Sequence, residues 1–247
     1  MIVTKDNFST QSDDYVKYRP QYPKELLEYL LSITNEHFLC WDCGTGNGQL
    51  AVKLAEHFEV VEATDISEKQ LLNASARDNI IYSKQPAEQT TFPDSYFDLI
   101  TVAQAAHWFD FDRFNPEVKR TLNKGGIIAL FGYGLVKVPD PVGSVLEDFY
   151  WNITKPYWDP ERLHIEAKYE TIPFPFDEID DVPYFAIEKS MTIEELTGYI
   201  STWSAVQHFK KDKGYSPIRL LNEELSKFGE LGVQEVKFPI FTRIGRL

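Results

Sequence analysis

The sequence predicts an α/β fold, in which a mostly parallel sheet is covered by helices. Short apolar runs alternate with amphipathic segments through the first half of the chain, which is typical of βαβ units with right-handed crossovers. A glycine-rich segment stands between the first predicted strand and the helix that follows it. The second half loses the alternation and becomes rich in proline and aromatic residues over 139–183. The fold class therefore rests on the first half, and the second half is expected to be an addition to it.

Composition limits the class of protein. The chain has 247 residues, of which 43% are hydrophobic and 14% aromatic, enough to build a packed core. No stretch approaches the ~18 consecutive apolar residues that a membrane helix needs. The formal charge of −13 at pH 7 disfavours nucleic-acid partners, because binding to a phosphate backbone depends on Lys and Arg. We therefore expect neither a membrane nor a nucleic acid as partner.

Strands alternate with helices along the first half. The segments predicted as strands are 37–41, 60–64, 80–82, 97–102 and 127–131. Helices are predicted after Pro23, over 50–55, over 67–76 and over 111–122. The first helix has one apolar face, formed by Leu26, Leu27, Leu30 and Leu31, and Ser67 is the expected N-cap of the third. Residues 123–126, Asn-Lys-Gly-Gly, are predicted to form a turn.

The second half is predicted to be a helical insertion followed by a return to the sheet. Residues 159–195 hold eleven acids and three Lys or Arg, a net charge of −8, which favours a solvated surface. Helical periodicity returns over 192–209 and 217–228. Two alternating runs around Pro239 predict a tight antiparallel strand pair at the sheet edge. The predicted organisation is a core at 1–135, a helical cap at 136–231 and the strand pair at 232–247.

Cys40 and Cys43 form a single C-x-x-C motif. A structural zinc site needs four ligands, and neither a second such motif nor a paired histidine completes one, so the sequence predicts no metal. A redox pair is conceivable, but an apolar run and a glycine turn around the cysteines favour packing. The first ten residues lack the apolar segment of a secretory signal, so we expect a cytoplasmic protein.

The glycine-rich segment Trp41-Asp-Cys-Gly-Thr-Gly-Asn-Gly48 follows the first strand and opens a helix. At the mouth of a parallel sheet, such glycines let the backbone approach a ligand closely. Dinucleotides favour G-x-G-x-x-G, whereas the spacing here is G-x-G-x-G and the third position is Gln49. Asp42 ends the strand, and its charge would repel a pyrophosphate but suit an ammonium or sulfonium group.

Asp65 ends the second strand, 21 residues after Gly44. An acid at this place accepts hydrogen bonds from a ribose diol. The series of strand, acid, glycine turn, helix, strand and second acid is far more specific than a glycine turn alone. It predicts a nucleoside ligand with a cationic group.

Over residues 37–131 these motifs resemble the S-adenosylmethionine (SAM) dependent methyltransferases of the Rossmann-like class. The resemblance implies a Rossmann-like, seven-stranded and mostly parallel sheet that binds SAM, with Asp42, Gly44 and Gly46 at the methionine end. Asp65 would bind the ribose and Ile66 would pack on the adenine. Many members cap the adenine amine with an Asp before the Ala of Ala87-Glu88, but Pro86 stands there and Gln85 is expected to substitute. The implied cofactor contacts are Tyr18, Arg19, Asp42, Gly44, Thr45, Gly46, Asp65, Ile66, Gln85, Ala87, Glu88, Ala103 and Gln104.

A narrower likeness appears in segments at 15–23, 103–110, 202–206 and 238–243, which are similar to the fungal trans-aconitate methyltransferase group and its bacterial relatives. It implies O-methylation of a small-molecule carboxylate or hydroxyl. It also makes the first segment a lid over SAM, with Arg19 pairing the methionine carboxylate. The implied acceptor pocket comprises Tyr15, Tyr22, Trp108 and Trp203.

His107 is the only histidine after a predicted parallel strand, and it is the candidate catalytic residue. It could position the acceptor or act as a general base for a hydroxyl, or it could only order the loop through its hydrogen bonds. Trp108 and Phe109 could line the pocket or belong to the core. Candidate anchors for an acidic acceptor are Arg162, Arg219, Arg243 and Arg246.

Three other functions stay open. A nicotinamide oxidoreductase shares the fold, although the missing third glycine disfavours it. A protein or nucleic-acid methyltransferase would keep the same SAM site, and a SAM-binding module without turnover would also fit. The protein could be a monomer or a dimer.

Overall fold

The structure is a computed structural model that describes residues 20–247. Its strands are β1 (Leu39–Cys43), β2 (Val60–Asp65), β3 (Ile80–Lys84), β4 (Phe97–Ala103), β5 (Leu122–Tyr133), β6 (Asp177–Glu178), β7 (Phe185–Met191) and β8 (Gln234–Arg246). Its α-helices are α1 (Lys24–Ile33), α2 (Gln49–Leu54), α3 (Glu68–Leu72), α4 (Phe111–Thr121), α5 (Val142–Asp148), α6 (Arg162–Glu166), α7 (Ile193–Ser201), α8 (Ser204–Lys213) and α9 (Ile218–Ser226). Short 3₁₀ turns cover Ala106–Trp108 and Lys155–Tyr157, and a π-helical turn covers Phe149–Thr154.

One mixed sheet organises the described residues. Its order is β3-β2-β1-β4-β5-β8-β6, with β7 also paired to β8. The first five strands run parallel to one another, and β8 runs antiparallel to β5, β6 and β7. The α/β Rossmann-like prediction is therefore confirmed, including the antiparallel strands at the carboxyl-terminal side. β1 lies between β2 and β4, so the strand order reverses beside β1, which is where open α/β sheets bind ligands.

The carboxyl-terminal strand differs from the predicted pair. The two runs around Pro239 form a single strand, β8, rather than a tight hairpin. Pairing with β5 starts at Ile240, while pairing with β7 covers residues 234–240, so Pro239 stands where β8 departs from β5. The second antiparallel strand is β7, which comes from the predicted cap. The sheet consequently has eight strands instead of seven, and one of them, β6, has only two residues.

The predicted cap at 136–231 is also not entirely helical, because it contributes β6 and β7 to the sheet. Alternation in Phe185–Met191 places Phe185, Ile187 and Met191 inward and leaves Glu188 exposed. The predicted helical segment 192–209 is interrupted at Thr202 and Trp203, which separate α7 from α8. No helix within residues 20–247 is both long and apolar enough to cross a bilayer.

Local signals placed most elements of the first half correctly. The side-chain oxygen of Ser67 accepts a bond from the backbone N–H of Gln70 at 3.4 Å, as its predicted capping role requires. The turn predicted at 123–126 is wrong, because these residues lie inside β5. The pairing of β4 with β5 skips from Leu122 to Ile127, and Gly125 has a φ of +79°, so the four residues form a bulge.

Both faces of the sheet are packed. One apolar cluster joins α1, α2 and the cap helices, and the other surrounds Trp41, Phe97 and Phe114 on the opposite face. Trp41 is fully buried and its indole N–H donates to the hydroxyl of Thr64 at 2.8 Å, which links β1 to β2. The parallel strands are thus packed on both faces, and their carboxyl ends border the candidate site.

Candidate functional site

The carboxyl ends of β1, β2 and β4 border a cavity of about 250 Å³, called here the first cavity. Eleven of the thirteen predicted cofactor contacts line it, namely Asp42, Gly44, Thr45, Gly46, Asp65, Ile66, Gln85, Ala87, Glu88, Ala103 and Gln104. The other two, Tyr18 and Arg19, lie outside the described residues, as does Tyr15 of the predicted acceptor pocket. Tyr22 and Trp108 of that pocket line the first cavity as well. The structure therefore gathers most of the predicted set in one place.

The glycine turn needs glycine at its two ends. Gly44 has a φ of +70°, and a Cβ built on it would lie 2.7 Å from the Cβ of Ala105. Gly48 has a φ of +78°, and its Cβ would lie 2.1 Å from the hydroxyl of Tyr82. Backbone N–H groups of Gly44 and Thr45 both donate to the carbonyl of Thr64 at 2.9 Å. The turn is thereby tied to β2, and its backbone forms one wall of the first cavity.

Asp42 is buried at the end of β1, with 1% of its surface exposed. Its carboxylate accepts bonds from the hydroxyls of Thr45 at 2.6 Å and Thr101 at 3.0 Å. Burial raises the pKa of Asp42 to about 6, and the two hydroxyl bonds offset part of that rise. A buried carboxylate on a cavity wall favours a cationic ligand group, which would restore its ionised form.

Asp65 connects the turn to the end of β2. One carboxylate oxygen accepts from the backbone N–H of Gly46 at 2.8 Å, and the other accepts from that of Ser67 at 2.8 Å. Ile66 follows it and exposes 36% of its surface on the cavity wall. A carboxylate beside an exposed apolar side chain suits a ribose diol that carries a flat base.

Gln85 is less suited to the role predicted for it. Its amide oxygen accepts from the backbone N–H of Thr91 at 2.8 Å and from the Thr91 hydroxyl at 3.2 Å. Its amide nitrogen donates to the hydroxyl of Ser83 at 2.9 Å. Both ends of the side chain therefore hold the loop together. Glu88 lines the same cavity and accepts one bond, from the backbone N–H of Asp110 at 3.0 Å.

Gln104 lies at the end of β4 in a left-handed conformation, with a φ of +54°. This conformation is uncommon for a residue other than glycine. Its amide oxygen accepts from the backbone N–H of Tyr133 at 2.8 Å, and its amide nitrogen donates to the Tyr133 carbonyl at 3.2 Å. Gln104 thus joins the ends of β4 and β5 through its side chain and holds the wall of the first cavity in place.

A second, smaller cavity of about 60 Å³ adjoins the first. Gln104, Trp108 and Tyr133 line both, so the two share a wall. The remaining lining residues of the second cavity are His107, Trp158, Asp159, Arg162, Ile165, Tyr199, Trp203 and Ser204. His107 and Trp203, predicted as catalytic and acceptor-pocket residues, therefore lie on the second cavity and are absent from the lining of the first.

His107 is buried, with 7% of its surface exposed. Its Nδ1 atom lies 3.1 Å from the hydroxyl of Tyr169, which is fully buried in turn. Burial raises the pKa of Tyr169 above its ordinary range, so the phenol stays protonated. The contact holds the imidazole in one orientation at the cavity wall.

The four candidate arginine anchors have different environments. Arg243 donates to both carboxylate oxygens of Glu178 at 2.5 Å and to the carbonyl of Ile172 at 2.8 Å. Arg246 donates to the carbonyls of Gly125 at 2.6 Å and Ile33 at 2.9 Å. The guanidinium groups of both residues are therefore bonded within the fold itself, and their role as acceptor anchors stays a prediction. Arg219 is exposed and lies outside both cavities, whereas Arg162 lines the second.

Several residues of the second cavity were missed from sequence. Tyr133, Trp158, Asp159 and Tyr199 come from a strand end, a loop and a cap helix far apart in the chain. No spacing rule joins them. A usable signal is the aromatic density of Phe149-Tyr-Trp and Tyr157-Trp158 inside a segment of irregular pattern. Among residues 20–247 the structure shows no cluster of three or more side chains that could ligate a metal.

Comparison with known proteins places the chain in a family. A family profile described as a methyltransferase domain matches residues 41–130. A protein of Dictyostelium discoideum whose name assigns it to the methyltransferases is 34% identical over 245 residues, covering 96% of this chain and 93% of that protein.

A solved structure described as a type II methyltransferase from Anaeromyxobacter dehalogenans is also similar. It is 36% identical, covers 93% of this chain and 98% of its own, and superposes with a TM-score of 0.85. A malonyl-[acyl-carrier protein] O-methyltransferase of Geobacter sulfurreducens is 28% identical over 134 residues, 51% of this chain and 50% of that protein. The fold, the acids at the first cavity and these similarities agree, and the chain belongs to the class I SAM-dependent methyltransferases.

Proposed function

We propose that this enzyme methylates an oxygen atom, of a carboxylate or a hydroxyl, on a small-molecule acceptor. The observation that carries the proposal is the pair of adjoining cavities. The first has acids and backbone groups suited to SAM, and the second has aromatic rings and Arg162 but little space. An acceptor in the second cavity would reach a cofactor in the first where the two cavities adjoin, beside Gln104, Trp108 and Tyr133.

The residues of the first cavity fit SAM in chemical type. Asp42 would attract the ammonium of the methionine end, and Asp65 would accept from the ribose hydroxyls. Ile66 and Ala87 offer apolar contact to the adenine, and Glu88 replaces Gln85 as acceptor for the adenine amine. The lid role of Tyr15, Tyr18 and Arg19 stays part of the proposal. SAM supplies a methyl group already activated by its bond to a sulfonium sulfur.

Orientation is the main task left to the protein. The acceptor oxygen forms a bond to the methyl carbon while the carbon–sulfur bond breaks, so the oxygen must be held in line with that bond. A carboxylate acceptor gives up its negative charge in this step and needs no base. A hydroxyl acceptor must also lose a proton, and His107 is the candidate to take it.

Two further observations support oxygen methylation of a small molecule. The malonyl-[acyl-carrier protein] enzyme is an O-methyltransferase by name, and it is similar to half of this chain. The second cavity has a volume of about 60 Å³. This space suits a small-molecule acceptor better than the side chain of a protein substrate, which would bring its backbone with it. The proposal includes three further points. The enzyme belongs to the trans-aconitate methyltransferase group, it acts in the cytoplasm, and residues 136–231 select its acceptor.

The first test is calorimetric titration with S-adenosylhomocysteine (SAH), the product form of the cofactor. We expect binding with one site per chain. The second test incubates the protein with methyl-labelled SAM and a panel of small carboxylic acids and alcohols, and separates small from macromolecular products. Absence of SAM and SAH binding would refute the proposal. Methyl label found only in macromolecules would show that the acceptor is a macromolecule rather than a small molecule.

A further inference from the structure

We propose that Arg162 and the indole N–H of Trp158 form an anion-binding corner in the second cavity, which holds a carboxylate group of the acceptor. The inference rests on the proposed function and deepens it by naming the residues that select the acceptor. The corner is assigned from three features, which are the contacts of the guanidinium, the unbonded indole N–H and the aromatic walls.

The guanidinium of Arg162 is positioned by stacking. Its central carbon lies 4.4 Å from the ring centroid of Trp158 and 5.8 Å from that of Tyr150. Within the described residues it makes one hydrogen bond, from Nε to the Tyr150 hydroxyl at 3.3 Å. The N–H groups of its two terminal nitrogens can therefore donate to a ligand. A stacked guanidinium presents these N–H groups along its edge, where a carboxylate binds bidentately.

Glu166, an acid that interacts electrostatically with Arg162, already has other partners. Glu166 accepts from the ammonium of Lys155 at 2.5 Å and 2.6 Å and from the Tyr150 hydroxyl at 2.6 Å. These bonds, with Arg162 nearby, lower the pKa of Glu166 below its ordinary value despite its partial burial. Lys155 therefore balances Glu166, and Asp159 is the acid that shares the lining of the second cavity with Arg162.

Trp158 has a buried donor with no acceptor. Its Nε1 atom is shielded from solvent, and residues 20–247 offer it no hydrogen-bond partner. A buried N–H that lacks a partner is uncommon and costs free energy. Because the indole nitrogen can only donate, the group that completes it must be an acceptor. A carboxylate oxygen held by Arg162 would satisfy both residues.

The walls restrict the shape of the ligand. The rings of Trp158 and Trp203 lie 5.5 Å apart between centroids, and Tyr199 lies 6.0 Å from Trp203. A volume of about 60 Å³ has room for roughly four water-sized groups, so a carboxylate on a short stem fits. Asp159 also lines the cavity, with one carboxylate oxygen 3.9 Å from Nδ1 of His208. The negative charge of Asp159 would repel an anionic ligand. Removing this charge should therefore strengthen anion binding, the opposite of the effect expected for Arg162.

The test is calorimetric titration of the SAH-loaded protein with fumarate and succinate, beside their uncharged analogues fumaramide and succinamide. We expect the diacids to bind at least tenfold more tightly than the diamides. Arg162→Gln should weaken diacid binding at least tenfold and leave diamide binding unchanged. Arg162→Lys keeps the charge but loses the bidentate edge. Its affinity for the diacids should lie between that of the wild type and that of Arg162→Gln.

Two further variants separate the corner from general packing. Trp158→Phe keeps an aromatic ring beneath the guanidinium but loses the N–H, and we expect diacid binding to fall severalfold. Asp159→Asn should instead tighten diacid binding. Arg219→Gln, on an exposed arginine outside both cavities, is the matched control and should bind diacids as the wild type does.

The outcomes distinguish this inference from the proposed function. Equal binding of diacids and diamides, undiminished diacid binding by Arg162→Gln, or no diacid binding up to about 10 mM would overturn the anion corner while SAH binding stands. Loss of SAH binding in the wild-type protein would instead refute the proposed function. Circular dichroism and SAH titration of each variant verify that it is folded.

Discussion

The two cavities differ in how they are built. The first takes three of its four acids, its glycine turn and most of its apolar wall from residues 42–109, near the ends of adjacent parallel strands, and its fourth acid, Glu161, comes from the cap. The second collects residues from Gln104 to Ser204, which lie on a strand end, loops and cap helices. The first cavity is a property of the sheet, where backbone groups meet the ligand. The second is a property of the cap, where side chains do.

The cavities also differ in charge. Asp42, Asp65, Glu88 and Glu161 line the first, together with Lys53, whose pKa is lowered by burial and whose ammonium donates to the Tyr22 carbonyl at 2.8 Å. The second contains one arginine, Arg162, and one acid, Asp159, although the surrounding segment 159–195 has a net charge of −8. Net charge over a segment therefore does not describe the site within it, because exposed acids are screened by solvent.

The largest expected effect is that of a substitution at Asp42, which should weaken binding at the first cavity and not at the second. Asp42→Asn removes the buried charge, and we expect SAH affinity at pH 8 to fall about 30–100-fold, or about 2–3 kcal/mol. Calorimetry measures it, with Asp78→Asn, an exposed acid outside both cavities, as control. Diacid binding at the second cavity should change little. Unchanged SAH affinity would show that the two cavities do not differ in this way.

The pH dependence follows from the same residue. The pKa of Asp42 is raised to about 6 in the free protein, so its carboxylate is increasingly protonated below that pH. The free protein loses the stability associated with the raised pKa as the pH rises through 6. A cationic ligand prefers the ionised form, so SAH affinity should rise up to about pH 7 and then level off. This pH dependence should vanish in Asp42→Asn.

Arg243→Met tests whether that arginine serves the fold rather than the acceptor. Its side chain is 15% exposed and is bonded to Glu178, which is 38% exposed. We expect a loss of about 1–2 kcal/mol in the free energy of unfolding, measured by urea denaturation. Binding of SAH and diacids should stay at the wild-type level. Weakened diacid binding without a stability change would place Arg243 at the acceptor site.

Asp65→Ala should weaken SAH binding at least tenfold, about 1.4 kcal/mol. The variant loses the acceptor proposed for the ribose and the bonds to the N–H groups of Gly46 and Ser67. Asp65→Asn keeps one acceptor oxygen and should lose less. An affinity equal to that of the wild type would remove the ribose assignment while leaving the glycine turn as a cofactor site.

The smallest effect is expected for the exposed pair of Arg219 and Glu223. Their side chains are 66% and 60% exposed, and the charged atoms lie 3.4 Å apart. Arg219→Gln should change the free energy of unfolding by less than about 0.5 kcal/mol and leave both cavities unaffected. A larger loss in acceptor binding would extend the acceptor site to α9.

Prediction from sequence succeeded where one short segment carries the whole signal. The strand, Asp42 and the glycine turn are neighbours in the chain, and Asp65 follows at the end of the next strand. It failed where the outcome depends on a distant partner. The runs around Pro239 alternate as two strands would, yet β5 and β7 flank one continuous β8 and decide the pairing. The same holds for Arg243 and Arg246, because only the fold shows which carboxylate and which carbonyl groups accept their hydrogen bonds.

The sequence by itself determined the class of fold, and it placed the glycine turn and its two acids at the ends of neighbouring parallel strands. Periodicity and glycine spacing are local quantities, and backbone geometry follows from them directly. Only the tertiary structure decided that His107 faces the second cavity, that Gln85 is bound within its own loop and that Arg162 stacks on Trp158. These positions arise from packing between segments tens of residues apart, which no local pattern encodes.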